Sequence, residues 1–104
     1  MMCQLAVRRK CLLTVHKGDR ITGDVTEKDN YSFNCYIVDS ENYVKFMNRI
    51  QSFKRAFKGE GRGAYHVDKT IPSDAQWYAV LDAYGQQYIR EITVNLRRPK
   101  RVTG

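Results

Sequence analysis

Apolar and polar residues alternate along most of the chain, a period typical of half-buried β-strands. The alternation is clearest in the segments 21–26, 65–71 and 88–96, and the segment 77–82 is the most strand-like stretch of the chain. Each of these segments is followed by a turn-forming sequence. The segment 33–38 is apolar on both faces, so we predict that it lies centrally in its sheet. Further β-type runs cover 12–15 and 53–58, with a flexible glycine-rich link over 59–63. About seven such strands predict a mainly β fold, an antiparallel β-sandwich.

One segment changes to a helical period and predicts a short amphipathic helix over about 41–50. Ser40 or Asn42 is expected to cap its N-terminus, because both side chains can accept a hydrogen bond from the first turn. We expect the apolar face to close one end of the sandwich. The residues spaced to share that face are Tyr43, Phe46, Met47 and Ile50.

The length of 104 residues corresponds to a single domain. We divide it into a basic arm or edge strand over 1–11, the β-sandwich over 12–96 and a flexible basic tail over 97–104.

No apolar run approaches the roughly 18 residues that span a bilayer, so no membrane partner is predicted. The first charged run, 8–10, follows the apolar start rather than preceding it, which is the reverse of a secretory signal. A cytoplasmic location is therefore expected.

The chemistry-bearing residues do not form a recognisable catalytic set. The three cysteines, Cys3, Cys11 and Cys35, are an odd number without a Cys-x-x-Cys pair, which argues against a disulfide framework or a zinc site. They are expected to be thiols, with Cys35 packed in a strand. His16 and His66 stand singly. Nothing supplies nucleophile, base and oxyanion donors together, so we predict a non-enzyme with no metal and no cofactor.

Four blocks of sequence, taken in order, resemble a known family. They are a Lys-Gly-Asp turn between two strands at 15–25, a strand that ends in Asp-Ser-Glu-Asn-Tyr at 36–43, Thr-Ile-Pro at 70–72, and Trp-Tyr-Ala-Val-Leu-Asp-Ala-Tyr-Gly at 77–85. Together they look like a small bacterial β-sandwich family, a domain of unknown function that occurs alone and fused to TIR domains of immune systems. The last block is also similar to GOLD-type sandwiches. The resemblance implies a sandwich fold and a bacterial or phage immune context, and it implies no catalytic residues.

The net charge of +7 is concentrated in two places. Between residues 45 and 69 lie seven Lys or Arg side chains and only two acidic ones, interleaved with aromatic residues. The pattern suits an anion site in which cations hold phosphates, an aromatic ring (Tyr65 or Phe57) stacks on a base, and three glycines let backbone N–H groups approach. The alternative is a solvated connection with inward-packed aromatics. The candidate binding residues are Arg49, Lys54, Arg55, Lys58, Arg62, Tyr65 and His66.

The second basic population is at the ends of the chain. The tail residues Arg97, Arg98, Lys100 and Arg101 are candidates for weak, non-specific nucleic-acid binding, or they only aid solubility.

The sequence leaves three hypotheses for the function. The first is a non-catalytic module that binds a phosphate-bearing, nucleotide-like small molecule. The second is a protein-interaction domain for an effector partner, such as a TIR protein as the resemblance implies. The third is nucleic-acid binding through the basic ends.

Overall fold

The computed structural model describes residues 2–5, 10–82 and 92–98, with side chains described from residue 10 onward. This part of the chain contains eight strands and one helix. In chain order they are β1 (Met2–Leu5), β2 (Lys10–Leu13), β3 (Arg20–Glu27), β4 (Phe33–Asp39), α1 (Ser40–Met47), β5 (Phe57–Arg62), β6 (Ala64–Thr70), β7 (Trp77–Asp82) and β8 (Ile92–Arg97).

The strands form two four-stranded sheets. Sheet A has the order β1-β8-β3-β6 and sheet B the order β2-β7-β4-β5. All the pairings are antiparallel. The predicted antiparallel β-sandwich with one short helix is therefore confirmed.

The main core lies between the sheets and is built by the alternation seen in the sequence. Ile21 and Val25 of β3, with Val94 of β8, are fully buried there, and their neighbours on the other face of sheet A are polar. From sheet B, Ile37 and Leu81 face the same core. Strand β4 is buried on both faces and lies between β7 and β5, as its sequence predicts.

The helix covers the outer face of sheet B and does not close an end of the sandwich, which corrects the prediction. Phe46 packs there in a second cluster with Tyr36 and Val38, which are the residues of β4 that point away from the main core. Met47 and Ile50 are exposed, at 39% and 47% of their surface, because α1 ends at Met47 and only one side of it contacts the sheet. The helix therefore adds a third layer on one side of the molecule.

Asp39 caps the helix, rather than Ser40 or Asn42. Its backbone is extended at φ −79° and ψ 174°, and its side chain accepts a hydrogen bond of 2.8 Å from the backbone N–H of Asn42. The Asn42 side chain is buried and donates to the same carboxylate at 2.8 Å. The last strand residue thus also serves as the helix cap, so there is no loop between β4 and α1.

The prediction of a flexible link over 59–63 is wrong, because 59–62 belong to strand β5. Position 59 requires glycine because the Tyr65 side chain lies against the strand there. A Cβ on Gly59 would approach the Tyr65 ring to 2.6 Å. Gly61, at φ 75°, lies where the register between β4 and β5 shifts, which is typical of a β-bulge. The glycines mark an irregular edge strand of sheet B.

Two carboxylates organise turns of sheet A. Glu27 is buried, and it accepts hydrogen bonds from the backbone N–H groups of Asp29 at 2.9 Å and Tyr31 at 2.7 Å. Asp19 accepts from the backbone N–H of His16 at 2.8 Å and from Arg98 at 3.1 Å. Because the backbone hydrogen bond and the Arg98 guanidinium favour its charged form, the pKa of Asp19 lies below its usual 3.8.

The ends of the fold extend past the predicted limits of 12 and 96. Strand β1 pairs with β8 at the edge of sheet A, so the N-terminal segment supplies an edge strand. Arg97 belongs to β8, and Arg98 forms an ion pair with Asp19. The predicted tail therefore begins inside the fold. The rest of that predicted segment, 99–104, lies outside the described residues, as does the turn predicted at 84–86.

Cys11 differs from expectation, whereas the prediction for Cys35 is confirmed. Cys11 is disulfide-bonded, whereas Cys35 is a free thiol buried in β4. Burial raises the pKa of Cys35 to about 12, because the thiolate cannot be solvated there. Disulfides persist chiefly in oxidising compartments, so cysteine usage no longer supports the predicted cytoplasmic location.

Candidate ligand-binding site

The segment between α1 and β5 runs across the outer face of sheet B and is fixed by hydrogen bonds. The backbone N–H of Lys54 donates to the Asn42 side chain at 2.7 Å, and that of Ala56 donates to the Ile37 carbonyl at 2.8 Å. Between them, the Phe53 ring lies 5.4 Å from Tyr36 and 5.8 Å from Phe46, centroid to centroid. This anchored segment carries Arg55 to a defined place above the sheet.

Arg55 is held by aromatic rings. Its guanidinium carbon lies 4.1 Å from the centroid of Phe53 and 5.0 Å from that of Tyr36, within the range of cation–π attraction. One guanidinium nitrogen lies 3.9 Å from a carboxylate oxygen of Glu60. The side chain is 23% exposed. Its position is therefore fixed while part of it stays accessible, so less conformational entropy would be lost when it binds an anion.

Lys58, Glu60 and Arg62 of β5 are exposed on the same edge of sheet B. Lys58 Nζ lies 3.1 Å from a Glu60 oxygen, so Glu60 faces both Lys58 and Arg55. The strand thus presents a row of charges of mixed sign beside the helix.

Arg49 approaches from the C-terminus of α1 in an unusual backbone conformation, with φ 60°. Its N–H donates to the Phe46 carbonyl at 3.1 Å, and the N–H of Ile50 donates to the Lys45 carbonyl at 3.0 Å. These two bonds form the Schellman motif, in which the left-handed position is usually glycine because a Cβ is unfavourable there. An arginine at this position is strained.

These side chains surround one cavity of about 540 Å³ between the end of α1 and β5. Such a volume falls within the usual range for small-molecule sites. One wall is apolar and aromatic, and the charged residues are three cations and two carboxylates. The lining residues are Tyr36, Phe46, Arg49, Ile50, Gln51, Phe53, Arg55, Lys58, Glu60 and Asp82.

The remaining predicted binding residues line two other cavities that share residues with this one. Lys54, with Arg55 and Trp77, lines a cavity of about 450 Å³. Arg62 and His66, with Lys58 and Glu60, line a third of about 440 Å³. The Nδ1 atom of His66 lies 3.2 Å from Asp24 on the outer face of sheet A. The structure therefore brings Arg49, Arg55 and Lys58 together in one cavity, which Lys54, Arg62, Tyr65 and His66 do not line.

Tyr65 cannot stack on a ligand, which corrects its predicted role. Its ring is buried, its hydroxyl donates to the Phe33 carbonyl, and the backbone N–H of Arg62 donates to that hydroxyl at 2.8 Å. Phe57 is half-buried and packs against the same core. The predicted anion nest is also absent among these described glycines: Gly59 is buried, and the N–H of Gly61 donates to the Asn34 side chain at 3.2 Å.

Seven residues of the cavity wall are outside the predicted binding set: Tyr36, Phe46, Ile50, Gln51, Phe53, Glu60 and Asp82. Tyr36 and Phe46 were assigned only to the strand and the helix, and Glu60 only to a flexible link. Asp82 was assigned only to the strand over 77–82. The alternation of Lys58, Glu60 and Arg62 is the signal that would have placed Glu60 in this row of charges, once 57–62 is recognised as a strand.

Of the tail candidates, Arg97 is exposed at the end of β8 and Arg98 pairs with Asp19. Lys100 and Arg101 lie outside the described residues.

Within the described ranges, no three or more His, Cys, Asp or Glu side chains cluster in a way that could hold a metal ion. In the same part of the chain, no helix has the length and apolar character needed to cross a membrane.

Comparisons with family profiles, with curated proteins and with solved structures found no match to this chain. The resemblance to the TIR-associated family stays a prediction from the sequence. The cavity between α1 and β5 is therefore the basis for proposing a function.

Proposed function

We propose that the protein is a non-catalytic binding module for a phosphate-bearing, nucleotide-like ligand, which binds in the cavity between α1 and β5. The observation that carries the proposal is the arrangement of Arg49, Arg55 and Lys58 around one cavity with an aromatic wall. Guanidinium groups pair with phosphate oxygens through two parallel N–H bonds, and their planes also stack on bases. The predicted resemblance supplies the bacterial or phage immune context of this proposal.

The fixed position of Arg55 favours ligand binding over a purely structural role. Phe53 and Tyr36 support one guanidinium, and Glu60 lies 3.9 Å from it rather than in a close pair. A phosphate can therefore compete for the accessible N–H groups. Ile50 and the edge of the aromatic cluster offer apolar surface to a base or a ribose.

A thermal-shift screen of adenine and guanine nucleotides tests the proposal. A ligand that binds only the folded state raises the unfolding midpoint, and at about 100 times its Kd it stabilises by about 2.7 kcal/mol. Lys58→Ala should reduce the shift, whereas Lys69→Ala removes the same charge from an exposed site on sheet A and should not. No shift with any nucleotide at millimolar concentration would refute the proposal.

A second candidate is recognition of a protein partner, such as a TIR-type effector. The observation that favours it is exposed apolar surface: Leu12 is 56% exposed, Val44 55% and Ile50 47%. Substituting Val44 by Lys should abolish capture of a TIR-type effector at high salt while leaving nucleotide-induced shifts unchanged. Capture that is unaffected by Val44→Lys would contradict this candidate.

A third, weaker candidate is nucleic-acid binding by the basic ends. Removal of 98–104 should then weaken retardation of a DNA fragment, and each lost phosphate contact should reduce the salt slope of the remaining binding by about 0.9. Unchanged retardation after the truncation would exclude the tail.

A further inference from the structure

Each sheet ends in two edge strands, and three of these four edges are short or irregular. Strands β1 and β2 have four residues each, and β5 contains the register shift at Gly61. Strand β6 has seven residues, and it pairs with β3 without a shift in register. Proteins commonly protect edge strands from association by keeping them short or by adding a bulge. Among the described strands, β6 is therefore the edge best suited to pair with another strand.

The backbone of β6 directs its hydrogen-bonding groups alternately towards β3 and away from it. The N–H of Ile71 donates to the Asp19 carbonyl at 2.8 Å. At the other end of the strand pair, the N–H of Glu27 donates to the Gly63 carbonyl at 2.9 Å. In an antiparallel ladder every second pair of opposite residues is hydrogen-bonded, so these two bonds assign the odd-numbered residues of β6 to β3. The residues whose N–H and C=O groups point to the open edge are Ala64, His66, Asp68 and Thr70.

The exposed side chains of His66 and Asp68 are complementary and lie two residues apart on the outer face of sheet A. Arg20 donates two hydrogen bonds to Asp68, at 2.8 and 2.7 Å, and these hold the pKa of that carboxyl below its usual 3.8. Asp68 is therefore charged. The Nδ1 atom of His66 lies 3.2 Å from Asp24, and the protonated ring can also donate from Nε2. A carboxylate has acceptor sites for more than two hydrogen bonds, so Asp68 can accept another.

We infer that the protein forms a symmetric dimer in which β6 pairs antiparallel with β6 of a second copy. In the register that the side chains favour, Val67 lies opposite Val67 at the two-fold axis. His66 of each copy then lies opposite Asp68 of the other, and both residues direct their backbone groups to the open edge, as a hydrogen-bonded pair requires. The neighbouring registers that allow hydrogen bonding would place His66 opposite His66, or Asp68 opposite Asp68, and like charges directly opposite are destabilising. In the favoured register no two like-charged residues of β6 oppose each other, because Lys69 lies opposite Tyr65.

Such a dimer closes on itself, because the same edge of both copies is used. The two A sheets join through β6 into one sheet of eight strands. The proposed ligand cavity lies on the outer face of sheet B, between α1 and β5, and is not part of this interface. The inference therefore does not rest on the proposed function.

Hydrogen exchange, followed by NMR at about pH 6, tests the pairing in the wild-type chain. At this pH histidine side chains generally carry charge. Samples at about 50 µM and about 1 mM are compared, because a higher concentration favours the dimer by mass action. The amides of His66, Asp68 and Thr70 should exchange about threefold or more slowly in the concentrated sample. Those of Val67 and Lys69 should change much less, because they already donate to β3.

Sedimentation equilibrium of charge variants tests the register at the same pH. His66→Glu brings like charges opposite each other at two symmetric positions, so it should raise the Kd of the dimer roughly 2- to 30-fold. Adding Asp68→Lys to that variant reverses both charges and should restore dimerisation. His16→Glu is the matched control, because it makes the same change in an exposed segment before β3, and it should leave the Kd unchanged. Thermal unfolding of each variant verifies that it is folded.

The outcomes decide the inference independently of the ligand site. A chain that stays monomeric at about 1 mM would overturn it, and so would concentration-dependent protection confined to residues outside 64–70. A folded His66→Glu variant that dimerises as tightly as the wild type would refute the register. None of these results bears on binding in the cavity between α1 and β5.

Discussion

Replacing Arg49 by glycine is expected to stabilise the fold and to weaken ligand binding. The residue has φ 60° at the end of α1, in the position that glycine usually takes in a Schellman motif. Its side chain lines the proposed ligand cavity. The substitution should therefore raise the stability of the fold, because it relieves backbone strain. It should lower the affinity for the ligand, because it removes a phosphate-binding group.

The stability change follows from two terms. The left-handed conformation costs a residue with a Cβ about 1–2 kcal/mol. The greater freedom of glycine in the unfolded chain offsets about 0.4–1 kcal/mol of this. The net gain is about 0.5–1 kcal/mol, which for a domain of this size corresponds to a rise in Tm of roughly 2–8 °C.

The binding change follows from the loss of one charge-assisted hydrogen bond. Such bonds contribute about 1.5–3 kcal/mol, so affinity for a nucleotide ligand should fall roughly 10- to 100-fold. Arg49→Ala is the matched control: it removes the same guanidinium but keeps a Cβ at the left-handed position. It should weaken binding as much as Arg49→Gly while changing stability by at most about 0.5 kcal/mol.

Thermal unfolding of the two free variants and calorimetric titration of each with adenylyl-adenosine provide the four measurements. A Tm for Arg49→Gly at or below that of Arg49→Ala would refute the backbone argument. Wild-type affinity in both variants would show that Arg49 does not contact the ligand.

Three further predictions concern the fold. Glu27→Ala should lower stability by about 1–3 kcal/mol in urea unfolding, because two turn N–H groups lose their buried acceptor, and an unchanged midpoint would contradict this role. The folded pKa of Asp19 is below its usual 3.8, so its stabilisation is complete above about pH 5 and is lost as pH falls through the folded pKa. Asp19→Asn should therefore flatten the decrease in Tm between pH 5 and about pH 3, and an unaltered slope would argue against it. With a pKa of about 12, Cys35 should resist a thiol reagent at pH 8 in the folded protein and react after unfolding, whereas rapid labelling of the native state would disprove its burial.

The sandwich was predictable because its strands alternate. Strand β3 follows the period-2 pattern at nearly the predicted bounds, and β7 has the predicted bounds although it is buried on both faces. Ile92, Val94 and Leu96 of β8 are fully buried. The N-terminal segment was predicted only as an arm or edge strand. The sequence of β1 has little alternation, and its place depends on pairing with β8.

The candidate site was only partly predictable, because its parts converge through tertiary structure. Strands β5 and β6 are separated by Gly63 alone, yet they belong to different sheets. This crossing places His66 on sheet A, away from Arg55, and Arg62 lies at the far end of β5. The glycines of β5 suggested a loop, since local sequence cannot reveal that the Tyr65 ring occupies the space a Cβ at Gly59 would need. Clustering of charge along the chain therefore predicted the region but not which cations share a cavity.

The central claim is that a nucleotide-like ligand binds between α1 and β5. The most direct test is a titration of isotope-labelled protein with adenylyl-adenosine, followed by the amide shifts in two-dimensional NMR spectra. We predict saturable shifts concentrated at 46–60 and at Asp82, and their loss in Lys58→Ala but not in Lys69→Ala. Shifts confined to 97–104, or no saturable shifts at all, would contradict the claim.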